Sequence, residues 1–256
     1  MKPAPQAALL VAGAMLASAA SAHDFFLLPG AFVTDGAGEV TIQATVGSSF
    51  PAAEILVPAD RTERLSALGP GNPRLKVAGA GDKALNLELT GASTGLVAIG
   101  VSSKPRDVDY GEDRIPLILE EYRVGPEEAA AVEALPRPRT WQVSSRRFAK
   151  TFVCVRSCGD RAAAARTFGA HLEFVGVGTA DHHFRLLAHG RPLRDYPVDL
   201  VGADGERRHL KTDARGDVHV PATLRGVMML FAARLDPPAG QGRFTLDLTS
   251  LTLSRS

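Results

Sequence analysis

Residues 244–249 read FTLDLT, and every second residue in this stretch is apolar. Successive side chains of a β-strand point to opposite faces, so this alternation predicts a strand with one buried face. Residues 40–46 (VTIQATV) and 85–89 (LNLEL) show the same period of two. Gly and Pro clusters lie between such segments, which is typical of turns. The pattern predicts an all-β fold.

Strand-like segments recur at short intervals along the second half of the chain. The sequence predicts seven of them, at 171–177, 183–189, 197–203, 207–212, 217–222, 227–234 and 243–253. Seven short strands in this space match the size of one immunoglobulin-like sandwich. We therefore expect two immunoglobulin-like antiparallel β-sandwich domains, at 23–165 and 166–256. The segment 159–169, rich in Ala and Arg, is the expected linker.

The alternation of apolar and polar residues is interrupted between about residues 113 and 135. Pro126 suits the first turn of a helix, and Glu127 and Glu128 are favourably placed beside it. Pro136 would end the helix. We expect a short helical insertion in the first domain, packed on a sheet edge.

The amino-terminal residues 1–22 have the features of a Sec-type signal peptide. Lys2 supplies the charge, residues 7–20 are mostly apolar, and Ala20-Ser21-Ala22 is a small-residue cleavage site. We expect cleavage after Ala22 and a periplasmic or secreted protein. The apolar stretch is too short to span a bilayer, so direct membrane insertion after signal removal is not expected.

Charge and motif content argue against several classes of function. The chain has 29 basic and 28 acidic residues, and loss of Lys2 with the signal would leave 28 of each. A neutral chain without basic runs argues against nucleic acid as a partner. Aromatic residues are only 6% of the chain, which argues against a sugar-stacking face. No Gly-x-Ser-x-Gly, His-Glu-x-x-His or phosphate-loop motif is visible, so we expect no enzyme.

Cleavage after Ala22 would make His23 the first residue of the mature protein. Its free α-amino group and ring Nδ1 could then close a chelate ring around a transition metal such as Ni, Co or Cu. The amine is an amide before cleavage, so export would create the site. The alternative is that His23 is incidental, since some residue must follow every signal peptide.

His182 and His183 are candidate further ligands. Neighbouring strand residues point to opposite faces, so the two cannot chelate one metal as a strand pair. A turn after Asp181 could still bring one of them to a metal. His189 precedes Gly190 in a predicted turn and is not a candidate ligand.

Other histidines have spacings that suit either a metal site or a solvated polar face. His171 and Glu173 are two residues apart and would share one face of a strand. His209 and His219 flank the turn at 213–216 and would lie opposite each other if their strands pair. An outward polar surface is the favoured explanation for each pair.

The two cysteines, Cys154 and Cys158, are four residues apart. An oxidising compartment favours a disulfide, which requires a turn between them. A disulfide that closes such a small loop would raise the free energy of unfolding by about 2 kcal/mol, because it lowers the entropy of the unfolded chain. The alternative, a thiolate metal site, would need further soft ligands from the fold.

Several segments of the sequence resemble segments of a known protein family and follow one another in the same order. The predicted mature start reads HDFFLLP, residues 23–29. Further matching segments are GEVT (38–41), VGSSF (46–50), LEEY (119–122), SSRRFAK (144–150), LEF (172–174), GRPL (190–193), TDARG (212–216) and SLTL (250–253). Together they resemble the bacterial exported family called domain of unknown function 4198.

The resemblance implies two β-sandwich units and a divalent-metal role near the amino terminus, with His23 as the residue carried over. Members of the family are often described as periplasmic components of nickel or cobalt uptake. The chain departs from the family at Phe26, where Trp is usual. It also lacks the histidine that many relatives carry at the positions corresponding to 232–236. Asp236 could replace that histidine as a ligand if the metal is a hard one.

Three functions remain open from the sequence. The first is an exported, non-enzymatic protein that captures Ni²⁺, Co²⁺ or Cu²⁺ and passes it to a membrane transporter or outer-membrane receptor. The second is an envelope interaction or structural module in which His23 has no role. The third is a copper-dependent oxidase, because an amino-terminal histidine on a β-sandwich also holds copper in polysaccharide oxygenases.

Overall fold

The computed structural model describes residues 23–36 and 39–255. The predicted signal peptide and its cleavage site lie outside these residues. Within the described ranges, no helix has the length and apolar character needed to cross a membrane.

The described chain is built mainly from strands. In chain order they are β1 Asp24–Pro29, β2 Val33–Thr34, β3 Val40–Gly47, β4 Ile55–Leu56, β5 Thr62–Leu68, β6 Gly71–Ala80, β7 Leu85–Ala92, β8 Gly95–Ser103, β9 Arg106–Gly111, β10 Thr140–Val155, β11 Leu172–Gly176, β12 His183–Ala188, β13 Arg191–Pro192, β14 Pro197–Gly202, β15 Arg207–Lys211, β16 Asp217–His219, β17 Gly226–Asp236 and β18 Phe244–Arg255. The two α-helices of this part of the chain are α1 Ile115–Tyr122 and α2 Pro126–Glu133.

The strands form three sheets. The first sheet has the order β1-β3-β7-β6, with β4 on β3. The central sheet has the order β15-β14-β17-β18-β10-β8-β5, with β2 and β9 on β10. The third sheet has the order β11-β12-β13, with β16 on β12. The predicted all-β, immunoglobulin-like sandwich fold is confirmed.

The central sheet contains strands from both predicted domains. β10 precedes the boundary expected near residue 165, yet its residues 143–151 pair in parallel with residues 244–252 of β18. The expected linker at 159–169 is packed, because its short 3₁₀ turn, Ala162–Ala165, buries Ala163 and Ala164. The sandwiches are therefore joined by a shared sheet as well as by the chain.

Both faces of the central sheet are buried. On β8, Leu96 and Ala98 pack toward the third sheet, whereas Val97 and Ile99 pack toward the first sheet. The first sheet contributes the apolar side of its alternating strands, for example Leu87 of β7. Each sandwich core thus uses one face of the same central sheet.

The predicted helical insertion is confirmed. Pro126 begins α2, and the backbone N–H of Gly125 donates to the Glu128 carboxylate in a capping box. α1 buries Ile115 and Ile118 against the core that β17 and β18 line. The insertion therefore covers part of a face of the central sheet, whereas packing on a sheet edge was expected.

Candidate functional site

His23 is exposed and stands immediately before a buried strand. β1 pairs antiparallel with β3, from Asp24 opposite Gly47 to Pro29 opposite Ile42. Phe26 of β1 is fully buried in the core. His23 is therefore the residue directly before a strand that is paired from Asp24 onward.

A buried ion pair fixes the start of β1 against the second half of the chain. Asp24 is only 3% exposed, and its Oδ2 accepts a hydrogen bond from Arg207 Nη2 at 2.5 Å. Arg207 Nη1 also donates to Oδ2 of Asp199 at 3.0 Å. Burial raises the pKa of Asp24 to about 6, although Arg207 opposes this shift. The Asp24 carboxylate is therefore engaged in the protein and not aimed at solvent.

A pocket of about 470 Å³ opens beside His23, and we name it the His23 pocket. β4, β9, β10 and α1 line it, and Glu121 of α1 is the acidic side chain among its described lining residues. The backbone N–H of His23 donates to the Glu121 carboxylate. Burial raises the pKa of Glu121, and this hydrogen bond lowers it by a smaller amount. Arg147 Nη1 donates to the His23 carbonyl oxygen at 3.0 Å.

The structure does not bring His182 or His183 to His23. His183 Nε2 lies 3.0 Å from Oδ2 of Asp217, and its ring stacks on His219 with centroids 4.1 Å apart. His182 Nδ1 lies 3.0 Å from Oδ1 of Asp181. Neither of the two candidate ligands lines the His23 pocket.

His209 and His219 do not lie opposite each other, because the strand pairing that would place them so does not form. β15, which carries His209, pairs with β14, whereas β16, which carries His219, pairs with β12. His209 Nδ1 instead lies 2.8 Å from Oδ1 of Asp199. The turn between the two strands connects different sheets, which the local sequence does not reveal.

Glu173 does not belong to a solvated face with His171. It is 1% exposed, and its Oε1 accepts a hydrogen bond from the fully buried Lys150 Nζ at 2.9 Å. The backbone N–H of Phe168 also donates to both carboxylate oxygens. Glu173 is a structural partner in the core.

His171 lies in a histidine–aspartate cluster that the sequence did not suggest. Its ring contacts that of His189 at a centroid distance of 4.9 Å, and its Nδ1 lies 3.5 Å from Oδ2 of Asp247. His189 Nε2 lies 3.2 Å from Oδ2 of Asp236. Burial raises the pKa of Asp247. His189 was not assigned a role because nothing in its local sequence points to residues 236 and 247.

No group of three His, Cys, Asp or Glu side chains is arranged to hold a metal ion within residues 23–36 and 39–255. In the histidine–aspartate cluster, Arg234 binds Asp236, and Arg146 binds both Asp247 and His171. A metal site made of side chains alone is therefore not preformed in this part of the chain.

Cys154 and Cys158 are joined by a disulfide, with Cα atoms 5.2 Å apart. Arg156 between them has φ 60°, in the left-handed region. This residue supplies the turn that brings the two ends of the short loop together. The alternative of a thiolate metal site does not apply to bonded cysteines.

Comparisons with known proteins identify the family of the chain but no relative of known function. A search of curated proteins found no significant match. Among solved structures, the D0-D1 domain of Intimin matches with 12% sequence identity and a TM-score of 0.24, covering 89% of this chain and 97% of that one. The model of the family described as "Domain of unknown function (DUF4198)" matches residues 20–235, and the chain therefore belongs to this family.

Proposed function

We propose that the exported, processed protein is a non-enzymatic carrier for a divalent transition metal, nickel, cobalt or copper. It binds the metal through His23 and passes it to a membrane transporter. The observation that carries the proposal is the hydrogen bond from the His23 backbone N–H to the Glu121 carboxylate. That nitrogen is the atom that signal cleavage would convert into a terminal amine.

Processing would assemble three donors at one point. The His23 amine and ring Nδ1 come from a single residue, and the Glu121 carboxylate already faces that nitrogen. Amine, imidazole and carboxylate groups together suit Ni²⁺, Co²⁺ and Cu²⁺. Asp24 is not counted as a ligand, because its carboxylate is held by Arg207.

The proposal fits the lack of a preformed side-chain site in the described ranges. Two of the three donors, the His23 imidazole and the Glu121 carboxylate, are side chains, and the third is the backbone amine, so the site contains no group of three ligating side chains. β1 would still hold the new terminus in place, because its pairing with β3 begins at Asp24. The fold thus supplies the orientation that a flexible terminus would lack.

Metal affinity should fall as the pH decreases. A terminal amine and an imidazole ordinarily lose their protons between about pH 6 and 8, and both must be deprotonated to bind a metal. The raised pKa of Glu121 adds to this trend, because its carboxylate also becomes protonated more easily than usual. Proton release on binding is therefore expected near neutral pH.

The Glu121→Gln variant tests the proposed ligand set. Calorimetric titration of the processed protein with Ni²⁺, Co²⁺ and Cu²⁺ should give one site per chain. Loss of a charged ligand should weaken binding on the order of tenfold, or about 1.4 kcal/mol. Glu120→Gln is the matched control, because Glu120 is the exposed neighbour on the same helix. Absence of stoichiometric binding by the wild-type protein would contradict the proposal.

A further inference from the structure

The His23 pocket carries an excess of positive charge. Five cationic side chains line it: Arg61, Lys104, Arg106, Arg114 and Arg147. None of them forms an ion pair with a carboxylate among the residues that the structure describes, whereas about half of the arginines elsewhere in these ranges do. Glu121 is the one acid that faces them in the described lining.

The same pocket also presents apolar surface. Ile55 of β4 is 46% exposed, one of the few large apolar side chains with so much accessible surface in the described chain. Val108 of β9 and Ile118 of α1 line the pocket with it. Apolar lining with a small number of polar groups is typical of sites for small molecules.

We propose that the His23 pocket binds a small organic anion: a carboxylate group held by the arginines that lack a carboxylate partner, and an apolar body in contact with Ile55 and its neighbours. Guanidinium groups bind carboxylates with charge-assisted, often bidentate hydrogen bonds. A cavity of about 470 Å³ is in the size range of small-molecule sites. Charge complementarity selects an anion, and the apolar surface selects one with a hydrocarbon or aromatic part.

The inference does not depend on metal binding at His23. It requires only the arginines and the apolar lining, which are present whether or not the terminal amine is a ligand. A bound anion would, however, offset the positive charge that a metal ion meets at the amino terminus. The two sites would then support each other.

Fluorescence titration with 1-anilinonaphthalene-8-sulfonate, an aromatic sulfonate, tests the inference on processed, metal-free protein. We expect saturable binding at one site that weakens as salt is added, because exposed charges are screened. Decanoate should displace the dye at least tenfold more effectively than 1-decanol, which has the same chain without the charge.

Variants separate the two parts of the site. Arg106→Gln and Arg114→Gln should each weaken dye binding on the order of tenfold, since each removes a charge-assisted contact. Ile55→Ser should weaken it through the loss of apolar contact. Arg191→Gln is the matched control, because Arg191 is an exposed residue of β13 outside the pocket.

Three results would overturn the inference: no saturable dye binding, equal displacement by decanoate and decanol, or unchanged affinity in both arginine variants. These outcomes leave the metal proposal standing, because nickel titration of the same protein is a separate measurement. Conversely, failure to bind nickel would leave an anion site intact.

Discussion

Replacing Asp24 by asparagine is expected to remove a pH-dependent loss of stability. Asp24 is almost fully buried, its Oδ1 has no hydrogen-bond partner within the described chain, and its Oδ2 bonds to Arg207. Burial raises its pKa from 3.8 to about 6. A difference of about 2 pKa units corresponds to about 3 kcal/mol. The folded state holds the proton more tightly than the unfolded chain does.

The sign of the effect follows from linkage. The stability that protonated Asp24 contributes is fully present below about pH 4 and is lost as the pH rises through about 6. Asparagine cannot ionise, so the Asp24→Asn variant lacks this loss. Its free energy of unfolding, relative to wild type, should increase by about 3 kcal/mol between pH 4 and pH 7.

Urea unfolding at pH 4, 5, 6 and 7 measures this difference. Asp82→Asn is the control, because Asp82 is an exposed residue outside the strands and should show no such trend. A constant offset between Asp24→Asn and wild type across the four pH values would refute the reasoning. It would mean that Asp24 is solvated or fully compensated by Arg207 in the native protein.

Two further predictions concern stability. Lys150→Met should destabilise the protein by about 3–5 kcal/mol in denaturant unfolding, because it leaves the buried Glu173 carboxylate without its cationic partner. A double variant that also carries Glu173→Gln should recover part of the loss, and no recovery would contradict this explanation. The Cys154→Ala/Cys158→Ala variant should lose about 2 kcal/mol, and a reducing agent should produce the same loss in wild type but none in the variant.

The sequence predicted strands well where one face of a strand is buried. Residues 40–46 and 85–89 lie in β3 and β7, as their alternation indicates. β8 gave no such signal, because its two faces enter different cores and Leu96 to Ile99 are all apolar. In β8 the period of two is absent because apolar side chains cover both faces, whereas β18 keeps the period although Asp247 and Thr249 on its polar side are also buried, so only one buried face was expected there. The shared central sheet was therefore missed.

The candidate site was only partly predictable. His23 could be singled out from the cleavage motif, whereas Glu121 appeared only as part of the LEEY segment. Its approach to His23 depends on how α1 packs over the sheets, which no local pattern encodes. The possible pairing of His209 with His219 could not be decided for the same reason, because the two strands that share a turn belong to different sheets. Long-range strand register was the missing information.

The proposal that the terminal amine of His23 is a metal ligand is tested most directly by titrating Ni²⁺ into two forms of the protein. One form begins at His23, and the other carries a single alanine before it, which converts the amine into an amide. The account predicts that the extra residue weakens nickel binding on the order of tenfold or more, with the fold unchanged by circular dichroism. Equal affinity of the two forms would contradict it.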